Sequence, residues 1–205
     1  RREHGGSVSS YKKILDSLLR ETSRLDVQLG VCEQLREVKS EEADALEAAP
    51  VLFGLMLPAM TEGVLLGLAR LYDQNGDRSM WKLLNVAQGT IKQISWARAP
   101  THAELAQQHA ALARHESTLD TLRTLRDKAI AHHDKEFSDD PSTFSSSNQV
   151  PVEDVISLLR ATQKLLGQHC TWIGEPWRMS MADVVAVGTQ RMADDLLRLH
   201  RDKSD

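Results

Sequence analysis

Aromatic side chains make up only 4% of this 205-residue sequence, and that scarcity is the first constraint on its fold. A β-sandwich or barrel draws on aromatic and β-branched residues, whereas the Leu and Ala abundant here pack helices by aliphatic ridges. Cysteine is nearly missing. Cys32 and Cys170 form no CxxC pair and cannot supply a disulfide framework, so buried, reduced thiols in a cytoplasmic protein are expected. Positive charge is not in excess: 25 Lys and Arg against 29 Asp and Glu leave a formal charge of −4. No global field attracts nucleic acid, and any RNA contact must come from a local patch. A Gly-rich phosphate loop, an internal repeat and sustained strand-period alternation are all lacking. Apolar residues at 41% and charged residues at 26% sit near globular averages and exclude wholesale disorder.

Only one stretch is apolar enough to raise a membrane question. Residues 51–69 carry a single charge, Glu62. A spanning helix needs about 20 mostly apolar residues, but Pro58, Thr61 and Glu62 interrupt this one. The expectation is a buried central helix kinked at Pro58, and no membrane. Residues 1–8 lack an apolar signal core and read as a flexible leader, followed by a single helical domain over 9–205.

Apolar residues recur at helical spacing. Ile14, Leu18, Leu25, Leu29 and Cys32 predict a first helix from Ser9 or Ser10 to about Glu37. The apolar helix ends near Tyr72, where Asp73-Gln74-Asn75-Gly76-Asp77 is turn chemistry. Ser79 caps a short helix through Trp81, Leu84 and Val86, and Thr101-His102-Ala103-Glu104 is a capping box. The box opens one long helix carrying Leu105, Leu112, Leu119, Leu122 and Leu125, expected to end near Lys135. Residues 137–149, rich in Ser, predict a mobile loop, and two further helices are expected at about 152–172 and 181–201. The fold class is all-α, a bundle of five to seven helices.

Chemistry concentrates in Leu-Arg-Asp-Lys-Ala-Ile-Ala-His-His-Asp, residues 125–134. At about 100° per residue, Arg126 falls in the middle of the apolar arc formed by Leu119, Leu122, Ala129 and Ile130. A lone guanidinium there is costly to bury. It must reach the rim, face an anion, or lie at an interface lined by polar groups. His132 lies about 9 Å further along the axis, at the flank of the same arc. Arg, an adjacent acid and His suit metal-free RNA cleavage. A His titrating near neutrality moves the proton of the 2′-OH or of the leaving oxygen, and a forked, permanent cation meets the crowded phosphate.

Arg126-Asp127-Lys128-Ala129-Ile130-Ala131-His132 resembles the HEPN superfamily signature of Arg, a polar residue, four residues and His. The wider stretch 125–134 resembles more narrowly the abortive-infection, AbiU-like branch, and Arg70-Leu71-Tyr72-Asp73 is similar to a second, less specific segment of it. The resemblance implies a HEPN-like helical domain, metal-independent endoribonuclease activity in phage defence or as a toxin, and no cofactor. It also implies an RNA substrate, a homodimer that pairs two Arg–His sets in one cleft, and an antitoxin or regulatory protein as a further partner. Carried over, Arg126 holds the scissile phosphate, His132 is the acid/base and Asp127 orients the pair. His133 competes for the imidazole's role, and Arg70 and Asp73 are secondary candidates, read most simply as an i,i+3 helix-end pair.

Two alternatives stay open: a catalytically silent HEPN-like module that binds RNA or a partner, and a helical dimerisation domain whose motif is structural. Other constellations are weaker. His109, His115, Glu116 and Asp120 repeat no zinc spacing, so no metal site is expected. Trp172 and Trp177 flank a turn, one of them expected to pack. Arg191, Arg198, Arg201 and Lys203 make the last predicted helix basic on a solvated face.

Overall fold

The computed structural model describes residues 4–41, 50–131 and 150–176. Among these residues the chain is all-α, with six helices. They are α1 (His4–Glu41), α2 (Pro50–Leu71), α3 (Met80–Gly89), α4 (His102–Ala113), α5 (Glu116–Ala131) and α6 (Val152–Ile173). The predicted loop at 137–149 and the basic helix at 181–201 lie outside the described residues, as does Trp177. α1 begins at His4, inside the stretch read as a leader, and runs to Glu41, four residues past its expected end.

By contacts the chain divides into two compact units, one made of residues 1–22 and 66–178 and the other of residues 23–65 and 179–205. In the second unit, Leu25, Leu29, Cys32 and Leu35 of α1 are buried at helical spacing, as is Val64 of α2. Thr61 turns its hydroxyl back to the Leu57 carbonyl at 2.8 Å, four residues earlier, beside a Pro58 that the helix carries in its interior. The expectation of a buried central helix holds only for the later part of α2. Leu68 and Leu71, in the first unit, are buried, but Val51 and Leu55 are 73% and 70% exposed. Hydropathy counts residues, whereas burial needs a neighbour, and among the described residues nothing covers that end. The window 54–71 has a mean hydropathy of 1.3 with 28% of it buried, so this one helix is long and apolar enough to cross a bilayer by length and composition.

The first unit is closed by aliphatic ridges. α6 supplies the longest, with Val155, Leu158, Leu159, Leu165 and Leu166 buried on one face. α3 buries Met80, Leu83, Leu84 and Ala87 completely. The predicted caps are present. Ser79 accepts a hydrogen bond from the Lys82 amide, and Thr101 and Glu104 satisfy each other's amides at 2.8 and 3.1 Å. Glu104 also receives Arg98 at 2.7 Å, and that hydrogen bond, followed by those from Thr101, pulls its carboxyl down to about 2.

The long helix expected after the capping box is two helices. Its hydrogen-bond ladder tightens at residues 114–115, where the His115 amide bonds to the Leu112 carbonyl three residues back, and resumes with Leu119 to His115. Arg114 keeps right-handed dihedrals (φ −66°, ψ −18°), so the break needs neither Gly nor Pro. α6 ends where Gly174 takes φ +75°, a left-handed cap that favours Gly. A Cβ there would stand 3.1 Å from that of Ala97. The contact is close because the Ala97 and Arg98 amides both donate to the Trp172 carbonyl, at 2.8 and 3.1 Å.

A polar chain runs through this core. The Tyr11 hydroxyl of α1 meets His169 Nδ1 at 2.6 Å, His169 Nε2 meets Gln108 Oε1 of α4 at 2.9 Å, and Gln108 Nε2 donates to Gln168 Oε1 at 2.7 Å. One set of roles satisfies every member: Tyr11 donates to Nδ1, and the protonated Nε2 donates to the amide oxygen. Trp172, almost fully buried, lies 4.7 Å from the His169 ring, so the predicted packed indole is Trp172.

Burial pushes the His169 imidazole down to about 3, so the folded protein keeps it neutral while the unfolded chain titrates near the ordinary value of 6.5. Between those values only the unfolded state takes the extra proton, and protonation favours unfolding. The stability His169 contributes is complete above pH 6.5 and is lost progressively as pH falls towards 3. Urea titrations from pH 7 to pH 4 should therefore show a steeper loss for the wild type than for His169→Gln, by up to about 1.4 kcal/mol per pH unit. Parallel profiles would contradict a neutral, buried imidazole.

Candidate active site at Arg126

Arg126 sits on the outer half of α5, one residue beyond the buried Leu125. The sequence left three fates for its guanidinium, and the structure selects the anionic one. Its side chain is 21% exposed and is held by two carboxylates. Nε and Nη2 both donate to Asp127 Oδ1, at 2.9 and 2.8 Å, and Nη1 lies 3.2 Å from Asp73 Oδ2. The hydrogen bonds Arg126 donates to Asp127 raise its pKa further, burial opposes the rise, and Asp73 adds to it. The cation is permanent.

Asp73 belongs to the turn after α2, and that turn is fixed from two sides. Tyr72 is buried and its hydroxyl bonds to Thr162 on α6, while the Trp81 indole of α3 donates to the Tyr72 carbonyl at 3.1 Å. Asp73 also shapes its own turn, with Oδ1 accepting from the Asn75 amide at 3.1 Å and its carbonyl accepting from Gly76. Oδ2 remains for Arg126. A carboxylate 53 positions away in sequence is thereby set against the guanidinium by buried neighbours rather than by its own rotamer freedom.

The structure brings Arg126, Asp127 and Asp73 together. It does not pair Arg70 with Asp73 through side chains: Arg70 reaches Glu21 of α1 at 3.3 Å, and its carbonyl accepts from the Asp73 amide. The i,i+3 reading is corrected, because the turn points the carboxylate towards α5 instead of back along α2. His132 and His133 lie outside the described residues. His109, His115, Glu116 and Asp120 are spread over α4, the 114–115 turn and α5. His109 stacks on Trp81 at 6.0 Å, and Asp120 accepts from Arg123. Among the described residues no group of three His, Cys, Asp or Glu is placed to hold a metal ion. Both cysteines are buried and neither forms a disulfide.

Sequence reasoning missed the role of Asp73 as the second partner of Arg126. The available signal was that the acid closing the second family-like segment also opens a turn.

Asp73 and Arg126 are both partly exposed, so solvent screens their attraction. A double-mutant cycle with Asp73→Asn and Arg126→Gln should give a coupling to stability of about 0.2–1 kcal/mol. A coupling of zero in low salt would mean that the turn holds Asp73 without engaging the cation.

A family model described as AbiU2, HEPN_AbiU2, matches residues 9–183. No curated protein and no solved structure matches the chain.

Proposed function

Because the chain belongs to the AbiU2 family of HEPN modules, an abortive-infection branch, we propose that it is a metal-independent endoribonuclease acting in phage defence or as a toxin. The observation that carries the proposal is the setting of Arg126: a partly exposed, permanently charged guanidinium, aimed by a turn that buried residues fix in place. Of its five N–H groups the two carboxylates leave at least one on each terminal nitrogen for a phosphate. Asp127 is 59% exposed and the easier partner to displace, while Asp73 stays on the far edge. Asp127 thus presents the cation in the resting protein, and phosphate takes its place.

The chemistry follows from the family register. An RNA 2′-OH attacks the adjacent phosphorus and its proton leaves to a base. The bond from phosphorus to the 5′-oxygen breaks, and that oxygen takes a proton from an acid. His132, one family spacing beyond Arg126, serves the proton transfers, and Arg126 carries the charge that builds on the phosphoryl oxygens. The products are a 2′,3′-cyclic phosphate and a 5′-hydroxyl.

One observation favours the silent-module reading. Two carboxylates already compensate Arg126, so the resting site is no stronger a phosphate trap than a neutral surface. Cleavage assays separate the two readings. Arg126→Ala should lose about 2.7–4 kcal/mol of transition-state stabilisation. His132→Ala should lose about 10²-fold or more, and His133→Ala much less. Cleavage should persist in EDTA, spare DNA, and leave a cyclic phosphate, with helical spectra unchanged in each variant. Wild-type RNA affinity without any cleavage would instead establish the silent module.

On the same reading the protein works in the cytoplasm as a homodimer, with the face carrying Arg126 at the two-fold axis and an antitoxin or regulatory protein restraining it. Light scattering at micromolar concentration should return about twice the 22.9 kDa chain mass. A monomer would remove the paired cleft.

A further inference from the structure

A cavity of about 620 Å³ opens between α4 and α6, within the first compact unit, and Arg126 is not among its lining residues. Its size is that of a small-molecule site, which typically spans about 300–1,000 Å³. The space exists because Ala110 and Ala111 of α4 face Ala161 of α6. The same three alanines form its accessible apolar wall, since Leu165 and Trp172, which also border it, are almost fully buried.

Cations outnumber anions around this cavity, with Arg98, Arg114 and Lys164 set against Glu104. Arg98 and Glu104 also line it, but they neutralise each other, and Glu104 is further occupied by the Thr101 cap. Arg114 and Lys164 line it too and make no ion pair with any described residue. Two positive charges are therefore uncompensated. Gln168 completes the set. Its oxygen is taken by Gln108, which is itself fixed by His169 and Tyr11, so the free end of the Gln168 amide is its N–H₂. A buried chain of hydrogen bonds thus decides which face of a surface amide meets the cavity.

We propose that this cavity binds a small phosphate monoester whose organic body packs against Ala110, Ala111 and Ala161 and whose phosphate meets Arg114, Lys164 and the Gln168 amide. Charge selects the ligand class. A carboxylate carries one negative charge, whereas a phosphate monoester carries about −1.5 to −2 near pH 7 and three acceptor oxygens, matching two free cations and an N–H₂ group. The site is independent of the ribonuclease reading, because neither Arg126 nor Asp127 lines it.

Adenosine 5′-monophosphate is a suitable probe, measured by calorimetry on the full chain beside adenosine and inorganic phosphate. The monophosphate should bind saturably, and the other two at least about tenfold more weakly, since each lacks one half of the ligand. Arg114→Ala and Lys164→Ala should each weaken it about tenfold or more. Ala161→Leu, which fills the cavity and keeps both cations, should abolish binding while the helical spectrum persists. Arg126→Ala should leave the affinity unchanged, which separates this site from the candidate active site. The proposal is overturned by the absence of saturable binding at millimolar probe, by equal affinity for inorganic phosphate, or by a larger loss at Arg126 than at Arg114. It is equally overturned if a single-stranded oligonucleotide binds through Arg114 and Lys164 while the mononucleotide does not, for then the cations track a strand.

Discussion

An imidazole buried away from water must have both ring nitrogens satisfied, and His169 meets that requirement with groups from two other helices. Tyr11 comes from α1 and Gln108 from α4, 158 and 61 positions distant in sequence. Leucines tolerate small slides along a ridge, because dispersion contacts are many and individually weak. A hydrogen bond of 2.6 or 2.9 Å does not, since a shift of an ångström leaves a buried polar atom unpaired at about 1–3 kcal/mol. The polar chain therefore sets the register in which the aliphatic ridges of α1, α4 and α6 meet. Tyr11 reinforces it by packing edge-on against Trp96 at 5.2 Å.

The same logic carries to the Arg126 site one layer out. Tyr72 is anchored to α6 by Thr162 and to α3 by Trp81, so the turn bearing Asp73 inherits the rigidity of the core. Burial holds the Tyr72 phenol far from ionisation, which keeps it a reliable donor at any physiological pH. Arg126 is then placed by α5 on one side and by Asp73 on the other. Pre-organisation of this kind lets a modest surface contact matter: its own contribution to stability is small, but its direction is fixed in advance.

Much of this was legible in the sequence, and the parts that were not share a cause. Helix type followed from aliphatic spacing, and the Ser79 and Thr101 caps from local chemistry, because both are written within a few residues. The split between α4 and α5 was hidden: Leu105, Leu112 and Leu119 keep seven-residue spacing across it, and Arg114 stays right-handed. The exposure of Val51 and Leu55 was hidden because periodicity shows which residues want a neighbour, not whether one arrives. Arg126 was singled out by its place in an apolar arc, and the family match over residues 9–183 agrees with the motif that named it. Asp73 as its partner, and Gln108 as the partner of His169, depend on contacts between distant elements, which no local pattern records.

Gly174 bears on how this chain can vary. Its backbone sits at φ +75°, and the space a methyl group would need is already occupied by Ala97. Any replacement pushes on the strap whose two amides grip the end of α6, and Arg98 at the rim of the cavity rides on that strap. Position 174 consequently has an alphabet of one letter. Exposed neighbours that bond only within α6, such as Thr171, are free to drift, whereas Glu175 is held by Lys12 of α1. Among homologues that keep the α4–α6 cavity, an invariant glycine beside variable neighbours is the evolutionary footprint this geometry should leave.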